Sequence, residues 1–209
     1  MRHSAPTPTG SSLPLPRARS LRRRHTAGSV ELAEKAIENF NTLVHQLCLE
    51  APQVDADAIA SVARWLDSQP PEQREILLKS RLDRLADLEA MRNDPDWTLD
   101  PAQMRRVELM LDYVARTNDL IPDGTPVHGH LDDALLLELA WPVFAEDVED
   151  YGDFCRYREE IQARSQGPAT QSDWLRSRSE EGALWEQLHR VHEQHYVELR
   201  THVSLFRIT

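Results

Sequence analysis

The chain is short of cysteine and glycine and has no long apolar run, and each shortage removes a class of protein. Only Cys48 and Cys155 occur among 209 residues, with no CxxC pair. That argues against a disulfide scaffold or a cysteine zinc motif and fits buried thiols in a reducing cytosol. No window holds 18 uninterrupted apolar residues. The strongest, ALLLELAWPVFA from Ala134, is broken by Glu138 and Pro142, so it reads as a core helix rather than a membrane span. The seven glycines form no GxSxG elbow, Walker loop or dinucleotide fingerprint, so nucleophilic and nucleotide chemistry lack a positive signal. No alternating run of strand length lies between hairpin turns, and no segment repeats at a fixed period.

Acidic residues are missing from one end only. Residues 1–30 hold Arg2, Arg17, Arg19, Arg22, Arg23 and Arg24 and no acid, which leaves 18 basic against 35 acidic side chains in the remainder. A body so acidic repels nucleic acid, whose binding needs clustered Lys and Arg. The arginine-rich end has neither the apolar core nor the cleavage site of a secretory signal. With Pro6, Pro8, Pro14 and Pro16 interrupting it, residues 1–28 read as a disordered Arg/Pro/Ser-rich arm. Weak contact with an anionic membrane through this arm is the one lipid role the charge allows. The expected location is the cytoplasm, with a membrane-peripheral position as the alternative.

What remains is helical in pattern. Val30, Ala33, Ile37, Phe40, Val44 and Leu47 recur three and four apart behind Ser29, a favourable N-cap. Asp55 caps a helix whose apolar side is Ile59, Val62, Ala63 and Leu66. SQPP at 68–71 opens another, with Ile76, Leu78, Leu82, Leu85 and Leu88 as its buried stripe. Asp100 and Pro101 start a fourth, whose inner face is Met104, Val107, Leu111 and Val114. A helix begins near Leu131 and is kinked or restarted by Pro142. The last runs from about Trp174 past Leu199, with Leu184, Leu188, Val191, His195 and Leu199 on one face. The expected fold is all-α: a multi-helix bundle, one domain over 29–203, with a helix–turn–helix unit at its centre.

The exception to this pattern is DLIPDGTPVHGHLDD, residues 119–133. Pro122 forces Ile121 into extended geometry, Asp123-Gly124 marks a turn, and Pro126 stiffens the backbone after it. Gly129 suits a positive φ or a close backbone approach. Leu120, Ile121, Val127 and Leu131 would tie the segment to the core. Eleven of these positions, D-L-I-P-D-x-x-P-V-x-G-x-L-D-D, resemble the signature of the YkvA-like family, a mostly bacterial domain of unknown function. The resemblance implies two helices around this turn, a unit over about 104–154, and, since the family has no established reaction, a module rather than an activity. Many relatives are hydrophobic and associate with membranes. This chain departs from them at Gly124, Thr125, His128 and His130, where relatives are apolar.

Two readings of the segment compete. In one, Asp119 and Asp123 bond to turn N–H groups while Asp132 and Asp133 cap the following helix. Pro122, Gly124, Pro126, Gly129 and Leu131 then complete a structural joint, and no cofactor is needed. In the other, Asp119, Asp123, Asp132 and Asp133, with His128 or His130, converge on a divalent metal ion or form an acid–base pair. A second cluster, His189, His192, Glu193 and Tyr196, shares a helix side but lacks the HExxH spacing and reads as a solvated face. Trp65, Trp97, Trp141, Trp174 and Trp185 read as packing residues. The favoured function is a non-catalytic helical interaction or regulatory module with a protein partner. A metal-binding protein or metal-dependent enzyme is the first alternative, and a membrane-peripheral protein the second.

Overall fold

The computed structural model describes Leu13, residues 26–27, 30–117, 119–164 and 167–201, with side chains for Leu13 and, of the rest, from residue 31 as far as residue 190. Its α-helices are α1 (Glu34–Leu47), α2 (Ala56–Asp67), α3 (Pro71–Leu82), α4 (Arg84–Asn93), α5 (Pro101–Val114), α6 (Leu131–Ala140), α7 (Ala145–Ala163) and α8 (Gln171–Thr201). The only strands among the described residues are two-residue segments, β1 (Thr26–Ala27) and β2 (Val30–Glu31), paired antiparallel. The fold is an all-α helical bundle.

Local chemistry explains the starts of two helices. Asp55 accepts from the Ala58 amide to cap α2. Asp100 accepts from the amides of Ala102 and Gln103, while the Gln103 side chain returns to the Asp100 amide, a capping box with Pro101 at the first helical position. Periodicity places Val30 and Ala33 in the first helix behind Ser29. Ser29 lies outside the described residues, Val30 is in β2, and α1 begins only at Glu34. The stripe of Ile37, Phe40, Val44 and Leu47 is buried as expected.

α6 forms the centre. Nine of its ten residues are buried, and α1, α3 and α5 all pack on it. A helix apolar on all sides is stable only with neighbours around it, which is why ALLLELA belongs to the core. The tenth residue, Glu138, pairs with Arg81 of α3 at 3.1 Å. Beyond α6, Pro142 sits in a single 3-10 turn, Trp141–Val143, and α7 restarts the helix. No helix among the described residues is long and apolar enough to cross a membrane.

Three helix faces differ from the periodic reading. The segment beginning at Pro71 is interrupted at Asp83, giving α3 and α4; Ile76 is exposed and Arg81 is buried in its place. On α5 the buried positions are Val107, Met110 and Tyr113, with Met104, Leu111 and Val114 only half-buried. Trp185, Leu184 and Leu188 of α8 are exposed, so this tryptophan is not a packing residue among the described contacts.

The chain divides into two compact units, Met1–Tyr151 and Gly152–Thr209. The first contains the main core, which includes Leu13. Of the expected disordered arm, Leu13 is buried and Thr26–Ala27 forms β1; the rest of 1–28 lies outside the described residues. In the second unit Phe154 and Trp174 are buried and meet edge to face, 6.4 Å between ring centroids. Cys48 is buried, Cys155 is half-buried, and both are free thiols.

Candidate cation site

The site is built where α5 hands over to α6. Residues 119–131 form a closed turn: Thr125 N–H donates to Pro122 O, Gly129 N–H to Thr125 O, and Leu131 N–H to His128 O, at 2.8, 2.9 and 3.0 Å. Gly129 meets its neighbour closely. A Cβ there would lie 2.0 Å from the Asp123 carbonyl oxygen, whereas one at Gly124 would meet nothing within 4 Å. The positive φ falls on Val127, at 70°. A β-branched residue in that region is strained, and only a firmly determined turn holds it there.

The acidic side chains do not cap the helix that follows them. The residue before α6 is His130, which makes no side-chain cap bond. Asp132 and Asp133 do not cap their own helix. Asp132 Oδ2 reaches back to accept from the Tyr113 hydroxyl at 2.9 Å and the Ile121 amide at 3.1 Å. Asp133 Oδ2 lies 3.2 Å from His130 Nδ1. The second oxygen of each is buried and has no hydrogen-bond partner among the described residues; the same holds for both oxygens of Asp119 and for Asp123 Oδ1. The capping account of Asp132 and Asp133 is therefore replaced: each uses one oxygen to fix its position and keeps the other unbonded. The Asp119 carboxylate is drawn towards its own amide and the Asp132 carboxyl without an aligned hydrogen bond to either, and Asp123 Oδ1 bonds no turn amide.

These oxygens converge in two groups. Asp119, Asp132 and Asp133 bring one oxygen each within 4.8 Å of one another, and Asp123, His130 and Asp133 do the same with two oxygens and a ring nitrogen. Asp133 belongs to both. Oxygen ligands sit about 2.0–2.6 Å from Mg²⁺ or Ca²⁺, so two ligands of one ion are at most about 5 Å apart. Both groups satisfy that limit. His128 joins neither: it is buried with Nε2 3.2 Å from Asp67 Oδ1 of α2, though not aligned as a hydrogen bond.

Burial sets the electrostatics. It raises the Asp132 carboxyl to about 8, with the charges of Asp119 and Asp133 adding to the rise and the Tyr113 bond opposing it. Burial raises Asp133 to about 7, against the lowering effect of His130. Asp119 is also raised, chiefly by burial. The Tyr113 phenol moves up for the same reason, reinforced by the Asp132 charge. Several carboxylates in low dielectric resist ionising together, and a proton or a cation must relieve them.

Two cavities reach this cluster from different directions. One, of about 410 Å³, is lined by Phe40, Leu43 and Gln46 of α1 and by Tyr113, Arg116 and Asp119. The other, about 400 Å³, lies between α3 and the turn and is lined by Pro71, Arg74, Leu78, Asp123, Val127 and His130. Tyr113 and Arg116 were not singled out by sequence; the three-residue spacing of Val107, Met110 and Tyr113 is the signal that would have turned α5 to this face. In the second candidate cluster, His189 is exposed, and the side chains of His192, Glu193 and Tyr196 lie outside the described residues. Compared with known proteins, the chain matches no family model, no curated protein and no solved structure.

Proposed function

We propose that the turn between α5 and α6 binds a divalent cation through Asp119, Asp132 and Asp133, and that the chain works as a helical module whose central joint is set by that ion. The observation that carries this reading is the convergence of three carboxylates within 4.8 Å, each with a buried oxygen that has no partner among the described residues. An all-oxygen ligand set favours Mg²⁺, Ca²⁺ or Mn²⁺ over softer ions. The resemblance of 119–133 to the YkvA-like signature supports the same segment as the functional one, because four of its matched positions are Asp119, Asp123, Asp132 and Asp133. The test is thermal unfolding of chelator-treated protein with each ion. A cation at 100 times its dissociation constant stabilises by about 2.7 kcal/mol, and Asp132→Asn should abolish that gain. If no ion changes the melting temperature of the wild type, the reading fails.

A protein-interaction role is the second reading, favoured by Leu175, Leu184, Trp185 and Leu188 of α8, each at least half exposed. Large apolar side chains grouped on one helix mark a contact surface more often than scattered ones do. The membrane-peripheral reading rests on the arm at 1–28, most of which lies outside the described residues.

A further inference from the structure

The geometry points to a second cation in the same centre, held by Asp123, His130 and Asp133, with Asp133 bridging the two ions. This rests on the cation reading above and extends it from one ion to a two-ion centre with unlike halves. Asp133 is the member common to both convergent groups. It is 1% exposed, yet its Oδ1 has no partner among the described residues while Oδ2 faces His130. A carboxylate with its two oxygens offered to different neighbours is the usual bridge in two-metal sites, where the ions lie about 3.5–4 Å apart.

The second group is independently built to hold an ion. Asp123 Oδ1 is buried without a hydrogen-bond partner and lies 3.6 Å from His130 Nδ1. That nitrogen is also 3.2 Å from Asp133 Oδ2, so one ring atom faces two carboxylates. The turn fixes this arrangement through Gly129, whose missing Cβ lets the chain pass against the Asp123 carbonyl. His130 is half exposed and borders the cavity beside Pro71, Arg74 and Leu78. Three protein ligands facing a cavity leave coordination positions for water or an exchangeable ligand.

The two halves differ in chemistry. Asp119, Asp132 and Asp133 offer oxygen only, which suits Mg²⁺ or Ca²⁺. The imidazole of His130 shifts the other half towards transition ions such as Mn²⁺, Fe²⁺ or Zn²⁺. Mn²⁺ fits both and is the ion that should fill the whole centre.

The experiment is calorimetric titration of the chelator-treated full chain with Mn²⁺ and, separately, Mg²⁺, with circular dichroism to confirm that each variant is folded. The expected wild-type stoichiometry is two Mn²⁺ and one Mg²⁺ per chain, with weak spin coupling between the Mn²⁺ ions in electron paramagnetic resonance. His130→Ala should reduce Mn²⁺ to one per chain and leave Mg²⁺ binding unchanged. Asp119→Asn should remove Mg²⁺ binding and leave one Mn²⁺, and Asp133→Asn should weaken both sites at least tenfold. A single Mn²⁺ unaffected by His130→Ala would overturn the second site and leave the first standing. Two Mn²⁺ unaffected by His130→Ala would overturn its assignment to this residue, and no binding of either ion would overturn both readings.

Discussion

Tyr113 on α5 and Asp132 on α6 are joined by a 2.9 Å hydrogen bond in which the phenol donates to Oδ2, and that oxygen also accepts from the Ile121 amide. Two donors from different segments thus hold one buried carboxylate, and the joint between α5 and α6 is fixed by it. Tyr113→Phe keeps the ring and its edge-on contact with Phe40 while removing the donor. Loss of a buried bond to a charged or partly charged group should cost about 1–3 kcal/mol. Urea denaturation measures it, and an unchanged midpoint would remove Tyr113 from the anchoring role.

The raised carboxyls give the cation-free protein a particular pH response. Asp132 and Asp133 titrate at about 8 and about 7 when folded, against an ordinary value of 3.8. Between pH 4 and pH 8 the folded state therefore binds more protons than the unfolded one, and stability must fall as pH rises. Each tenfold rise in a carboxyl's proton affinity changes stability by at most about 1.4 kcal/mol, reduced here by coupling between the two groups. Subtracting the profile of Asp132→Asn isolates the effect from other titrating groups. The wild type should lose stability relative to the variant across this window, and the loss should shrink when Mg²⁺ or Mn²⁺ is added. A flat difference profile would mean that the carboxylates are relieved by something other than a proton or a cation.

Gly129 and Val127 make the turn testable without touching an acidic residue. Gly129→Ala forces a Cβ to 2.0 Å from the Asp123 carbonyl oxygen. Backbone must move, and the cost should exceed about 3 kcal/mol. Gly124→Ala has open space and should be neutral or stabilising by about 0.4–1 kcal/mol. Val127→Gly releases a left-handed β-branched residue that is 44% exposed and should stabilise by about 1 kcal/mol. Chemical denaturation of the three variants gives that order, and equal effects at the two glycines would contradict the close approach.

The sequence made the helices legible because period and caps are local: Asp55 and Asp100 announce α2 and α5 by residue type alone. It also marked the right turn, since Pro122, Asp123-Gly124, Pro126 and Gly129 have few other uses. What it hid is which partner each aspartate meets. Asp132 stands two residues into α6, where a capping role is the local expectation, but its actual donors are 11 and 19 residues away. Periodicity equally favoured Leu111 over Tyr113 as an inward residue, because a phenol counts as apolar only when its hydroxyl has somewhere to bond. The buried Arg81 was missed for the same reason: a charge is admitted to a core only by a partner in another helix.

That partner is Glu138, the single half-buried position of α6, and Arg81 also donates to the Leu77 carbonyl at 2.7 Å. Arg81→Ala would strand a carboxylate against the core, and breaking a buried pair from one side costs about 3–5 kcal/mol. Arg84, whose charge also acts on Glu138 while its guanidinium lies over the Trp141 ring, softens the loss towards the lower figure. Replacing both members, as Arg81→Met with Glu138→Leu, removes the stranded charge and should recover most of the stability. Denaturation of the two single variants and the double variant forms a cycle with a coupling of about 1–3 kcal/mol. A double variant as unstable as the sum of its parts would mean that α3 and α6 are held by their apolar contacts alone.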